Sequence, residues 1–80
     1  MYYAYALRSL TRNYIYVGLT DDLNKRVHQH NKGWNRTTRA YAPFVLIYSQ
    51  TFETRAEARK MEKYLTVHFE NRIVIRFFAF

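Results

Sequence analysis

Two phenols, a guanidinium, an imidazole and one distant carboxylate are the side chains of this chain best placed to do chemistry. Tyr5 closes the triplet Tyr3-Ala4-Tyr5, and Tyr16 opens Tyr16-Val17-Gly18. Arg26 and His30 follow soon after, and Glu62 stands much later among basic residues. Cleaving a phosphodiester with water has three electrostatic needs: the water must lose a proton as it attacks, the extra charge of the transition state must be stabilised, and the leaving oxygen must be neutralised. A metal ion can meet more than one of them. An arginine offers a planar cation for phosphate, and a histidine can relay a proton or bind phosphate. A tyrosine with its ordinary pKa of about 10 needs a nearby cation or metal before it can act as a base. These residue types in this order point to a small metal-dependent nuclease.

The acids limit the metal chemistry. The chain has six, Asp21, Asp22, Glu53, Glu57, Glu62 and Glu70. Asp21 and Asp22 are best explained as helix caps and Glu57 as part of a capping box, which argues against a two-metal site with several bridging carboxylates. One Mg²⁺ (or Mn²⁺), held by a single carboxylate, several waters and the substrate phosphate, fits such a composition, because Mg²⁺ keeps much of its hydration shell. Taken alone, Glu62 reads as a surface pair with Arg59 or Lys63, worth little energetically; it becomes the ligand of choice only together with the other motifs.

The elements that must position these groups can be read from periodicity. Residues 2–8 alternate as a strand, with Tyr3, Tyr5 and Leu7 on one face and Tyr2, Ala4 and Ala6 on the other. Ser9 to Asn13 is a turn. Tyr14 to Leu19 reads as a second strand, antiparallel to the first because the loop is short. Its aliphatic face (Ile15, Val17, Leu19) is expected to meet the core, leaving the Tyr14, Tyr16 and Gly18 face for function, with Gly18 allowing close approach. Thr20-Asp21-Asp22 starts a helix that runs to about Asn31, and Gly33 stops it. Leu23 and Val27 form its buried stripe. Arg26 and His30 are one turn apart on one face, about 6 Å at Cβ; the commonplace alternatives are an Arg26–Asp22 surface pair and a surface histidine. Trp34 to Ala42 is a basic loop or short helical turn, in which Trp34 either stacks on a base or anchors the loop by packing. Pro43 precedes a third strand, Phe44 to Phe52. Thr54-x-x-Glu57 is a capping box opening a helix to about Tyr64 or Leu65, with Ala58, Met61 and Leu65 facing the core and Glu62, Arg55 and Arg59 on the margin of that stripe. For Tyr3 and Tyr14, packing at a core edge is the preferred reading.

Eighty residues allow one domain. The eight Tyr and six Phe favour strands. Thirteen Lys and Arg against six Asp and Glu give a net charge of +7. That field attracts polyanions, with nucleic acid the leading partner. An anionic membrane fits less well, because no long helix opposes a continuous apolar face to a basic one, and no apolar run is long enough to span a bilayer. With no cysteine, disulfides and thiolate metal sites are excluded. The absence of a secretion signal fits a cytoplasmic location. The apolar end, Ile73 to Phe80, is strand-prone: it adds a strand, covers the core or pairs with another copy.

The ordered set of motifs resembles the GIY-YIG nuclease family, especially its small stand-alone branch, the URI-domain proteins. Tyr3-Ala4-Tyr5 is similar to the first family triplet, with its last tyrosine kept, and Tyr16-Val17-Gly18 to the second. The stretch Tyr16-Val17-Gly18-Leu19-Thr20-Asp21-Asp22-Leu23-x-x-Arg26-x-x-x-His30-Asn31 resembles the strand-to-helix segment of the family, and Glu62 matches its metal-binding glutamate. The resemblance covers roughly residues 1–65; from Thr66 onward the chain departs from the polar segment usual in small members. It implies that Tyr5 is the base or positions the water, that Tyr16 binds phosphate or assists proton transfer, that Arg26 holds the scissile phosphate, and that Glu62 binds one divalent ion.

The expectation is therefore a single α/β domain of the α+β type, a mainly antiparallel three-stranded sheet flanked by two helices. Residues 1–65 form a GIY-YIG-like nuclease unit and 66–80 an atypical apolar tail of the same domain. The expected activity is Mg²⁺-dependent endonucleolytic hydrolysis of DNA (single-stranded, duplex or branched), with RNA possible as substrate. Lys25, Lys32, Arg36, Arg39, Arg55, Arg59, Lys60 and Lys63 are expected to form the nucleic-acid surface, mostly without reading bases. The rivals are a non-catalytic basic nucleic-acid-binding module and a structural protein that dimerises through its tail.

Overall fold

The computed structural model describes residues 1–68 and the backbone of residues 73–76. Its elements follow in the order β1 (Tyr2–Ser9), β2 (Tyr14–Thr20), α1 (Leu23–Asn31), a 3₁₀ turn (Arg39–Tyr41), β3 (Phe44–Phe52), α2 (Arg55–His68) and β4 (Ile73–Arg76). The sheet order is β3-β1-β2-β4. β1 is antiparallel to both β2 and β3, which gives the expected three-stranded antiparallel unit with its two helices. β4 extends it beside β2 in the parallel sense, pairing Tyr14 with Ile73 and Val17 with Arg76. Of the alternatives for the apolar end, strand addition therefore holds for 73–76; Glu70 and residues 77–80, with any assembly they would mediate, lie outside the described residues.

Alternation along β1 and β2 sends side chains to two faces, and both are covered. Ala4, Ala6, Ile15 and Val17 form one cluster with Leu65, joined by Met61, Tyr48 and Phe52. Tyr5, Leu7, Tyr14, Tyr16 and Phe44 form the other, with Leu23, Val27, Tyr41 and Ala42 packed on it. The tyrosine face is thus not open to solvent, as the alternation suggested. It lies beneath α1, because Leu23 and Val27 need an apolar partner and phenol rings are large enough to provide one. α2 packs on the opposite, small-residue face.

The two faces meet along β3 through a bulge. Ala6 pairs with Tyr48 but Leu7 with Leu46, so Ile47 is the extra residue. An extra residue reverses the parity of a strand. Tyr48 and Phe52 therefore join the cluster under α2, whereas Phe44 joins the one under α1.

Helix ends follow the chemistry of their caps. Asp22, in an extended conformation, accepts the Lys25 amide at 3.1 Å, so Asp22 is spent on the helix rather than on Arg26. At the other end Gly33 has φ +74°. Its N–H donates to the His30 carbonyl at 3.2 Å, and the Trp34 N–H to the Gln29 carbonyl at 3.1 Å. This is a Schellman close. The Asn31 side chain then accepts the Phe44 amide at 2.6 Å, which ties the end of α1 to the start of β3. At α2, the Thr54 hydroxyl accepts the Glu57 amide at 3.2 Å and donates to the Glu57 carboxylate at 3.0 Å. The helix continues to His68, three residues beyond the expected end.

Candidate active site

Pairing of β1 with β2 places Tyr5 directly across from Gly18 and Leu7 across from Tyr16. Tyr5 and Tyr16 are therefore diagonal neighbours on one face, with ring centroids 6.0 Å apart. A Cβ on Gly18 would fall 2.6 Å from both Cζ and the hydroxyl of Tyr5, and 2.8 Å from Cε2 of Tyr16. The phenols converge in space that only a glycine leaves empty.

His30, one turn beyond Arg26, points into the same space and has no solvent exposure. Its Nε2 lies 3.2 Å from the Tyr5 hydroxyl, its Nδ1 lies 2.9 Å from Oγ1 of Thr38, and its ring centroid is 4.5 Å from that of Tyr16. The reading of His30 as a surface residue is thus overturned: the Schellman close and the Asn31 bond fix the helix so that this position faces inward. Thr38 is itself buried. Because it flanks the helical turn in the basic loop, no sequence signal marked it; only its hydroxyl beside a buried imidazole identifies it.

Arg26 is half-buried. Its Nη1 donates to Gln29 Oε1 at 3.1 Å, and its charge lowers the pKa of Tyr5, Tyr16 and His30. Burial is the larger influence on each. It pushes both phenols up, and in Tyr5 the negative charge of an ionised Tyr16 adds to the rise. Burial likewise holds His30 down at about 4, helped by Arg26. Without a bound anion the three groups are thus a neutral imidazole and two neutral phenols beside one cation. The alternative reading of Arg26, a surface pair with Asp22, gives way to this inward placement.

Glu62 also departs from its sequence reading, since it is wholly buried and not at a helix margin. That excludes an exposed pair with Arg59 or Lys63. It rides on α2, yet its negative charge reaches Tyr16, where it acts to raise the phenol pKa. The structure therefore puts Tyr5, Tyr16, Arg26 and His30 in one cluster, with the Glu62 carboxylate within electrostatic reach of it. The eight candidate surface cations divide. Lys25, Lys32, Arg36 and Arg39 belong to α1 and the loop after it, and all are exposed, whereas Arg55, Arg59, Lys60 and Lys63 ride on α2, across the sheet. Arg36 joins Arg26 in lining a surface cleft of about 320 Å³.

No group of three or more histidine or acidic side chains gathers among the described residues. Glu62, the one buried carboxylate among the described residues, suits a hard, well-hydrated cation that takes its remaining ligands from water and phosphate; it does not suit zinc, which takes three or four protein ligands.

A small α+β domain with two cross-strand phenols over a glycine and a helix that brings arginine and histidine down onto them has the build of a nuclease catalytic domain. Comparison with known proteins agrees: residues 1–73 match the GIY-YIG catalytic domain, and the chain belongs to that family. The family is one of endonuclease-type hydrolases that act on nucleic acid and generally use a divalent metal. Among curated proteins the chain is similar to a UPF0213 protein of Clostridium perfringens, 36% identical over 66 residues (81% of this chain, 70% of that one). It also resembles UPF0213 proteins of Bacillus velezensis, 43% identical over 51 residues (62% and 52%), and Staphylococcus aureus, 39% identical over 49 residues (60% of each). The match thus spans about half the length of the Bacillus protein. No solved structure matches the chain significantly. Among the described residues no helix is long and apolar enough to cross a membrane.

Proposed function

We propose that this protein hydrolyses phosphodiester bonds of DNA as an endonuclease, using one divalent cation, Mg²⁺ or Mn²⁺, and tyrosine-assisted attack of water. The observation that carries the proposal is the 3.2 Å contact between the Tyr5 hydroxyl and His30 Nε2, beside Arg26 and over Gly18. With Nδ1–H donating to Thr38, Nε2 accepts from Tyr5. As water attacks phosphorus, Tyr5 takes its proton and passes the phenolic proton to His30. Arg26 holds the non-bridging oxygens of the scissile phosphate, and Tyr16 donates to the phosphate. Glu62 would hold the cation, which when bound supplies charge neutralisation at the phosphoryl and leaving oxygens. The exposed cations of α1 and its following loop, Lys25, Lys32, Arg36 and Arg39, track the backbone on either side.

The test is cleavage of single-stranded, duplex and branched DNA in Mg²⁺, Mn²⁺ or EDTA. Cutting should require the divalent ion and vanish in Glu62→Gln while binding remains. Unchanged cutting by that variant would remove Glu62 from the mechanism. One observation favours a second reading, a basic nucleic-acid-binding module without catalysis: Tyr5, Tyr16, His30 and Glu62 are all closed to solvent. That reading expects salt-sensitive binding and no cleavage with any divalent ion.

A further inference from the structure

The largest aromatic of the chain is placed where a core gains nothing from it. Trp34 is 67% exposed, and its ring contact is a perpendicular one with His28, centroids 5.6 Å apart. It does not anchor the loop by packing. The loop is instead held by its own backbone. The Trp34 N–H is bound to Gln29 and Gly33 has φ +74°. The Asn35 side chain accepts the Thr37 amide at 3.0 Å, and the Asn35 carbonyl accepts the amides of Thr38 and Arg39 at 3.2 and 3.0 Å. A rigid mount holding a large exposed ring is a preorganised surface, since little freedom remains to be lost when something covers it.

What lies beside the ring indicates what covers it. Trp34 lines the 320 Å³ cleft with Arg26, Gln29, Asn35, Arg36 and Thr37. That volume is at the low end of small-ligand sites. Two arginines give the cleft positive charge, and amide and hydroxyl groups give it hydrogen-bonding capacity for a flat polar edge. Arg26 is shared, because it also acts on Tyr5, Tyr16 and His30. A phosphate held by Arg26 would bring its own nucleotide, or the next one, to Trp34.

We propose that this cleft is a nucleobase subsite, in which Trp34 stacks on an unpaired DNA base adjacent to the phosphate engaged by Arg26. The proposal rests on the nuclease reading for the identity of that phosphate and adds a preference for strands whose bases are free to leave the stack. Arg36 contributes charge to the neighbouring backbone, and Asn35 and Thr37 face the base edge without specifying one base.

Trp34 is the only tryptophan in the chain, so its fluorescence reports the subsite directly. The full-length protein is titrated in EDTA with a short oligothymidylate, an abasic strand of equal length and a blunt duplex. Oligothymidylate should quench Trp34, whereas the abasic strand and the duplex should not. By labelled-strand anisotropy, Trp34→Ala should bind oligothymidylate about 5- to 150-fold more weakly and bind the abasic strand as wild type does, with Trp34→Phe recovering much of the loss. Equal affinity of wild type and Trp34→Ala for oligothymidylate, or equal quenching by the abasic strand or duplex, overturns the subsite. Cleavage with Mg²⁺ or Mn²⁺ reads the other hypothesis separately. Quenching without cutting by wild type retires the nuclease reading and keeps the subsite. Cutting with no effect of Trp34→Ala on binding does the reverse.

Discussion

Acidification should destabilise this protein through His30. The imidazole has no solvent contact, and both ring nitrogens are engaged, by Tyr5 at 3.2 Å and Thr38 at 2.9 Å. Burial first, and the charge of Arg26 second, hold its pKa at about 4 from an ordinary 6.5. As pH falls below 6.5 the unfolded chain takes up a proton that the native protein resists until about pH 4. In that window the unfolded state binds more protons, so stability falls as pH falls, and below about 4 the loss is complete. With these two pKa values, going from pH 7.5 to 5 costs about 2 kcal/mol, or roughly 8–16 °C in Tm for a domain of this size. The assay is urea unfolding across that range. Carboxylates and the other histidines also titrate, so the decisive quantity is the difference in pH slope between wild type and His30→Gln, whose amide does not titrate. Parallel curves for the two proteins would mean that His30 is not a buried neutral base, and the proton path through Tyr5 would fall with it.

Other expectations follow from the same geometry. Gly18→Ala puts a methyl 2.6 Å from the Tyr5 hydroxyl; it should destabilise by about 1–3 kcal/mol through overpacking and lower cleavage by more than the loss of folded protein measured by circular dichroism. Thr38→Val removes the partner of His30 Nδ1; about 1–3 kcal/mol of stability should be lost, and nitrogen NMR should show a changed balance of imidazole tautomers. The Tyr14 hydroxyl is buried without a hydrogen-bond partner among the described residues, and burial pushes its pKa up to about 12. Its ring stacks on Tyr41 at 3.8 Å, so Tyr14→Phe should keep the stacking and leave the unfolding free energy from urea titration unchanged or raise it by up to about 1 kcal/mol. In cleavage kinetics the acid limb of kcat/KM should fall well below pH 6.5, near the pKa of about 4 held by His30 in the free protein, and that of kcat should lie at higher pH because bound phosphate favours the imidazolium. Coincident limbs would argue against His30 as the acceptor.

How much of this was legible depends on whether the signal was local. The strand bounds, the Asp22 cap, the Gly33 stop and the Thr54–Glu57 box rest on neighbouring residues; the caps are found where the sequence puts them, and β1 and β2 each run one residue further than expected. The Arg26–His30 spacing fixed their shared turn but not its direction, because nothing on α1 alone says that its histidine faces the sheet. Alternation in β1 and β2 separated the two faces and failed to say that both are covered, since tyrosine suits a core and a surface equally well. Glu62 illustrates the same limit. A stripe drawn from Ala58, Met61 and Leu65 leaves it at the margin, but α2 packs closely enough to bury it. Thr38 and the extra residue Ile47 had no local mark at all. One is defined by a partner eight residues away, the other by the register of a strand against a neighbour more than thirty residues distant.

Burial of the phenols and the imidazole looks at first like an obstacle to proton transfer, because it makes Tyr5 a weaker acid and His30 a weaker base. The obstacle is smaller when the proposed relay is taken as a whole. Tyr5 gains a proton from water as it gives one to Nε2, so it is neutral before and after, and its high pKa does not enter the net balance. In that proposal the acceptor is His30, and its basicity is what a bound phosphate would change. A phosphate beside Arg26 offsets the cation that lowers the His30 pKa and supplies an anion for the imidazolium to face. On this proposal substrate charge would make the base competent, in a site whose low dielectric strengthens that effect. On the proposed mechanism the cluster stays neutral and packed alone, and reacts only once a substrate phosphate lies beside Arg26.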